Sequence, residues 1–388
     1  MLPETLSAVA EQLRAHQERF RDITHDRFFA SILEARSIFP LARDRTHLQL
    51  VPALADVLDR TPLTGEVPDH MLRHVAVHGV RHRRHAFPPE AYEPFADALG
   101  VALHDVVTGI HPATVDAAER ALRQVCARMA DAARQEDLAG TPPAWLANVV
   151  QVERRSRRIS VVRLETGMPV NYLAGQTLPV TARYLPGVWR MLSPALPSND
   201  YGQLEFHVQA IERGTASQLL TTPRVGDHWT LGAPAGTLTP SGQHPLLLIA
   251  HRMGIAPLRA IVFDLLQRAE PAPEVHLVIS AEYPGELHDL TALHNVSRAV
   301  DWLSLTVVAE HQKDPWWVGA TETSRVPEDL TLHVTQDLGA LVLELGEWRD
   351  HEVLVAGPAR GVHETVWSLF RGGVPAHRVN YEAWLEMS

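Results

Sequence analysis

The chain has 388 residues, 45% of them hydrophobic and 21% charged, a soluble globular balance spread over more than one domain's length. Its formal charge of −11 argues against nucleic-acid or anionic-membrane partners, which call for a clustered basic surface. A single cysteine, Cys126, excludes an internal disulfide or a cysteine metal cluster and points to the cytoplasm, and no apolar run reaches bilayer length.

The first third reads as helical. Leu6, Val9, Leu13, Phe20 and Ile23 recur at helical spacing, as do Leu72, Val75 and Val80, and then Ala118, Leu122, Val125 and Met129. Pro40, Pro68 and the pair Pro88-Pro89 punctuate helix ends. His70, His74, His78 and His82 repeat every four residues, so they share a helix face, with His85 beyond. Such a row is either a solvated, histidine-biased face or a source of imidazole ligands.

The polar, turn-rich stretch Gln135–Pro143 reads as a linker. Short strand-like runs follow at 145–152, 159–164, 176–180, 204–211 and 228–231, bounded by Gly, Pro or Asp, as in an antiparallel barrel. From Pro245 the texture becomes strand–helix. Apolar strands at 246–250, 275–279, 305–308 and 352–356, with helices at 258–269 and 361–370, predict a parallel doubly wound sheet.

Three short motifs lie in chain order. Arg190-Met191-Leu192-Ser193 offers a guanidinium for a diphosphate and a hydroxyl for a flavin ring atom or phosphate. Gly214-Thr215-Ala216-Ser217 permits close backbone approach at a helix start. Gly254-Ile255-Ala256-Pro257 follows an apolar strand, where such sheets bind nucleotides. Each alone is a common pattern; their order and the barrel-then-sheet texture give the signal.

On these motifs, residues 143–380 resemble the ferredoxin–NADP reductase superfamily, in particular the reductase half of flavohemoglobins. Trp189–Pro197 and Ser280–Asp289 are similar to the divergent type II members. The resemblance implies FAD contacts at 190–193 and 214–217, and NAD(P)H contacts at Gly254–Pro257 and at Gly357 and Pro358. Departures stand beside it. Leu192 replaces the family tyrosine, Arg252 and Met253 replace small residues, and Ala356 replaces the late cysteine. Glu282 would repel a 2′-phosphate, which favours NADH over NADPH.

The segment Gly79–Tyr92 resembles the proximal-histidine region of flavohemoglobins. Aligning Pro89-Glu90-Ala91-Tyr92 implies His82 as the haem b iron ligand, with His78 one turn earlier as the alternative, and Tyr92 hydrogen-bonding beside it. For the family glutamate only Asp131 is at hand. Anchoring on Phe39-Pro40 puts His25 at the distal tyrosine's position and Thr46 near the distal glutamine's.

The resemblance thus implies three domains: a globin-like all-α domain over 1–137, an antiparallel β-barrel FAD domain over 143–242 and an α/β parallel-sheet nucleotide-binding domain over 243–388. It implies electron flow from NADH through FAD to haem, with dioxygen and nitric oxide as substrates. Two alternatives stay open: an oxidase or electron shunt with a non-nicotinamide donor, and a non-enzymatic globin-like sensor.

Overall fold

The computed structural model describes residues 5–32, 49–212, 214–269 and 271–384. The chain divides into two compact units, Met1–Ala144 and Trp145–Ser388.

The first unit is helical. Its described helices are α1 (Ser7–Ala15), α2 (Gln17–Ser31), α3 (Leu50–Asp59), α4 (Asp69–His82), α5 (Tyr92–Val106) and α6 (Pro112–Leu138). Helix α2 packs on α5 and α4 on α6. The periodic apolar residues meet in one core, with Leu6, Leu13, Phe20, Phe28, Leu99, Leu103 and Leu122 fully enclosed. Gly79 sets how closely α4 meets α6, since a Cβ there would lie 2.3 Å from the Met129 carbonyl oxygen. Helix α4 begins after Pro68, runs on into a 3₁₀ turn at Arg83–His85, and is stopped by Ala86 in the left-handed region (φ 57°). The expected linker starts later than the composition suggests. Helix α6 continues through Gln135–Leu138, because no residue before Gly140 breaks it.

The second unit holds both β structures. Strands β1 (Ala144–Arg154), β2 (Ile159–Thr166), β3 (Leu178–Ala182), β4 (Arg190–Leu192), β5 (Gln203–Gln209) and β6 (His228–Gly232) form an antiparallel sheet in the order β4-β3-β6-β1-β2-β5. Its two ends nearly meet, for Pro194 bridges Phe206 and the Ala195 N–H donates to the Glu205 carbonyl at 2.8 Å. The sheet is therefore a nearly closed barrel, with Trp229, Phe206 and Leu178 inside. The short helix α7 (Thr215–Leu220) follows β5.

Strands β7 (Leu246–His251), β8 (Val275–Ala281), β9 (Leu303–Ala309), β10 (Leu332–Val334), β11 (Glu352–Pro358) and β12 (Val379–Trp384) form a wholly parallel sheet in the order β10-β9-β8-β7-β11-β12. Helices α8 (Ile255–Gln267), α9 (Leu290–Ala299), α10 (Leu338–Leu345) and α11 (Ala359–Arg371) cover it. In β7, Leu246, Leu248 and Ala250 enter one core while Leu247 and Ile249 enter the other. Burial on both faces is why this strand reads as an unbroken apolar run. The strand order reverses between β7 and β11, which makes that junction the switch point of the sheet.

Candidate functional site

Arg190 is the first residue of β4, the three-residue strand at one end of the barrel. Its guanidinium is exposed and donates to the Trp189 carbonyl at 2.9 Å. By contrast, Arg155, Arg158 and Arg163 of the barrel each face carboxylates. Arg190 thus keeps a cation available to an anionic ligand. Met191 is exposed and Leu192 half-buried, pairing with Leu178. The paired ladder ends at Leu192, and Ser193 lies one residue beyond it.

The second motif has a structural job of its own. The Ser217 hydroxyl donates to the Gly214 carbonyl at 2.8 Å and accepts from the Ile211 N–H at 3.0 Å. A Cβ on Gly214 would strike Ser217 Oγ at 2.7 Å. Both residues therefore shape the turn after β5, while Thr215 is exposed and Ala216 is buried.

Gly254 and Gly357 come together across the switch point. A Cβ on Gly254 would lie 1.9 Å from the Ala356 carbonyl oxygen. Gly357 has φ 145°, and a Cβ there would lie 2.5 Å from the His251 Cβ. Both glycines serve close backbone packing of the β7 turn on β11. Ile255, Ala256 and Pro257 are buried in the first turn of α8, so their side chains belong to the core, while Pro358 is half-buried.

Sequence reasoning passed over Glu382, on β12. It pairs in register with Ala356, and its Oε2 lies 3.3 Å from where a Gly236 Cβ would stand, a position also close to Thr177. Thr177 immediately precedes β3, so this carboxyl lies close to the strand that pairs with β4. Burial pushes its pKa up from 4.5 to about 7. Tyr381, its neighbour in the strand, is exposed and packs edge-on against His363. The alternation of β12 was the available signal, and its mixed texture concealed it.

A second group no motif announced lies between barrel and parallel sheet. Glu205 and His207 on β5 meet Arg259 on α8 and the segment Glu286–Asp289. The Arg259 guanidinium donates to the Ala195 carbonyl at 2.6 Å and lies 3.1 Å from Glu205 and 3.2 Å from Asp289. His288 turns Nδ1 toward the Glu286 carbonyl, which makes its Nε2 the acceptor for His207 Nδ1 at 3.0 Å. His207 Nε2 faces Glu205 at 3.1 Å. Burial holds His288 below the usual imidazole range. Histidine and arginine neighbours hold Glu205 and Asp289 below the carboxylate range against a burial that opposes them. Glu205, His207 and Asp289 have the spacing of a metal triad. Arg259, Arg155 and Arg163 already neutralise those carboxylates, so the cluster is a charge-compensated ionic network.

In the helical unit, His82 ends α4 and is exposed, yet the surrounding protein lowers its pKa to about 4, with help from His85, His78 and Arg84. Its Nδ1 lies 3.2 Å from the Tyr92 hydroxyl, and Phe87 packs edge-on against both rings. An Nδ1–H donated to Tyr92 would leave Nε2 unprotonated, the form in which a neutral imidazole binds a metal. His78 instead packs against His74, with ring centroids 5.2 Å apart. Asp131 pairs with Arg134 at 2.9 Å on the surface of α6. His25 has 0% exposure and packs on Phe29 at 5.4 Å. Phe39, Pro40 and Thr46 lie outside the described residues.

Residues 146–239 match the family model of the oxidoreductase FAD-binding domain. The chain carries an FAD-binding module of the ferredoxin-reductase type. Over 241 residues it is 27% identical to the ferredoxin–NAD(P)(+) reductase CarAd of Metapseudomonas resinovorans, covering 61% of this chain and 68% of that protein. Reductase component 1 of terephthalate 1,2-dioxygenase from a Comamonas species is 25% identical over 50% of this chain and 54% of its own length. Among solved structures, a flavohemoglobin from Malassezia yamatoensis with bound FAD and haem matches 97% of this chain and 98% of its own at TM-score 0.67 and 20% identity. The Amycolatopsis cytochrome P450 reductase GcoB matches 63% of this chain and 71% of its own at TM-score 0.54 and 23% identity. At such identities the structural likeness is one of fold.

Proposed function

We propose that the chain is a flavohaem oxidoreductase that takes electrons from NADH, passes them through FAD to a haem b iron held by His82, and acts on dioxygen and nitric oxide in the manner of a nitric oxide dioxygenase. The observation that carries this reading is the union, in one chain, of an FAD-binding module with a helical unit whose exposed His82 has its Nδ1 engaged by Tyr92. The reading takes the helical unit as a globin-like domain, in keeping with the full-length fold likeness to a flavohemoglobin. When bound, the flavin supplies the exchange of a two-electron hydride for single electrons, and the iron supplies a dioxygen site.

The chain's own residues have separate tasks. Arg190 binds the FAD diphosphate, and Ser193 and Thr177 face the ring. Glu382 holds a proton near that edge at neutral pH, because its pKa stands at about 7. Tyr92 orients His82 and keeps its tautomer. The Arg259 network fixes the chain just after Ser193 to the helix of the nucleotide turn.

Absorbance of the purified protein tests this reading. It calls for flavin bands together with a Soret band, the latter lost in His82→Ala and kept in His78→Ala. Loss in His78→Ala alone would move the ligand one turn, and protein that stays colourless after reconstitution would end the flavohaem reading. A second reading keeps both cofactors but takes a non-nicotinamide donor. It is favoured by the side chains at the switch point, where His251 stands beside Gly357 and Gly361 and Arg252 pairs with Glu282 and Glu310. Anaerobic NADH that leaves the flavin oxidised would select it.

A further inference from the structure

The C-terminal end of β7 is where a doubly wound sheet receives a dinucleotide, because strands diverge there on either side of the switch point. In this chain two large side chains stand at that place. His251 is the last residue of β7, and its ring lies against α11, the helix that follows β11. His251 Nε2 is 2.9 Å from the Thr365 hydroxyl. Its Nδ1 lies 2.7 Å from where a Cβ on Gly361, in the first turn of α11, would stand. The Gly357 Cβ position is 2.5 Å from the His251 Cβ. The room that these glycines leave is thus taken by an imidazole of the chain itself. Burial and the neighbouring Arg252 lower the His251 pKa to about 4, so the ring is neutral at neutral pH and brings no charge to attract a diphosphate.

Arg252 adds to the closure. Its backbone sits at φ 52°, a region that suits glycine and costs a branched or long residue about 1 kcal/mol. Its guanidinium reaches across the ends of two further strands, to Glu310 beyond β9 at 3.3 Å and Glu282 beyond β8 at 3.6 Å. Glu282 also binds Arg158 of the barrel at 3.0 Å, and Arg158 in turn binds Glu286. Three carboxylates and two guanidinium groups are therefore already matched along this rim. A diphosphate arriving there meets an arginine engaged by glutamates rather than an open cation.

We infer that His251 and Arg252 close the dinucleotide crevice of this chain and are the residues that set its affinity for, and choice of, electron donor. The inference deepens the proposed function and rests on its assignment of the crevice to a nicotinamide dinucleotide. A bound dinucleotide has to displace the Arg252 side chain from Glu282 and Glu310 and thread past the His251 ring. On this reading the two side chains limit the affinity for NADH, and glycine at both positions raises it.

The test uses the full chain, with ADP-ribose and NAD⁺ as probes in titration calorimetry. Neither measurement needs flavin or haem, so it stands apart from the test of the flavohaem reading. Arg252→Gly places glycine where the backbone already has positive φ, so this variant retains or raises the wild-type melting temperature and serves as the folded reference. It should bind both probes at least tenfold more tightly than wild type, and His251→Gly/Arg252→Gly more tightly again. Where FAD is bound, the apparent KM for NADH in anaerobic flavin reduction should fall by the same factor. Unchanged dissociation constants in Arg252→Gly and in the double variant would overturn the inference. So would weaker binding in Arg252→Gly, which would make Arg252 a ligand of the diphosphate, and so would a double variant that binds neither probe.

Discussion

Glutamate 382 offers a measurement whose sign and size follow from its surroundings. Its carboxyl is half-buried on β12, and burial raises its pKa from 4.5 to about 7. A raised folded-state pKa means that folding favours the protonated form. The stability this confers is fully present below pH 4.5 and is lost as pH rises through about 7. A shift of that size has a ceiling of about 3 kcal/mol, and partial access to water reduces it to about 1–2 kcal/mol. Glu382→Gln keeps the shape and removes the titration. Urea unfolding of wild type and variant should therefore give matching stabilities near pH 4.5, with the variant gaining about 1–2 kcal/mol by pH 8. Other titrating groups are common to both proteins and cancel in the difference. A difference that stays flat between those pH values, or turns in the wild type's favour at pH 8, would refute the buried-carboxyl argument. Should the same residue deliver a proton near the flavin, the variant would also flatten the pH profile of flavin reduction.

Three further outcomes follow from the geometry. Arg259→Met leaves Glu205 and Asp289 without their shared partner and removes the donor to the Ala195 carbonyl, so denaturant unfolding should register a loss of about 3–5 kcal/mol; a loss below about 1 kcal/mol would mean the network carries little. Arg190→Met removes an exposed cation with no carboxylate partner among the described residues, so it should leave the melting temperature unchanged while weakening FAD binding about tenfold or more in fluorescence titration. Gly254→Ala drives a Cβ to 1.9 Å from the Ala356 carbonyl oxygen and should cost about 2–3 kcal/mol, whereas Gly109→Ala, with open space around it, should cost no more than its φ of 70° imposes.

Much of the architecture is legible in the chain because it depends on local pattern. Helical periodicity marks α1, α2, α4 and α6, and the apolar runs of β7, β8, β9 and β11 mark strands buried on both faces. The barrel strands β1, β2, β5 and β6 follow from alternation and turn residues. Strands β4 and β10 escape because three residues carry no period, and β12 because its residues are mixed in character. The helix at the nucleotide turn begins at Ile255, three residues before the expected start, since Pro257 in the first turn is compatible with a helix.

The amino-acid order on its own determines a helical first unit, a barrel and a parallel sheet, and it marks Arg190, Ser193, Gly254 and Gly357 by residue type and spacing. Tertiary structure alone decides what those residues face. It turns Ser217 inward on its own loop, and it sets Glu382 beside Gly236 and Thr177. It gathers Glu205, His207, Arg259 and Asp289 from three separated segments, and it lays His251 across Gly357 and Gly361 at the switch point. The physical reason is the range of the interactions. Periodicity and turn chemistry act between near neighbours in the chain, whereas burial, pKa and ion pairing are fixed by partners that only folding brings into contact.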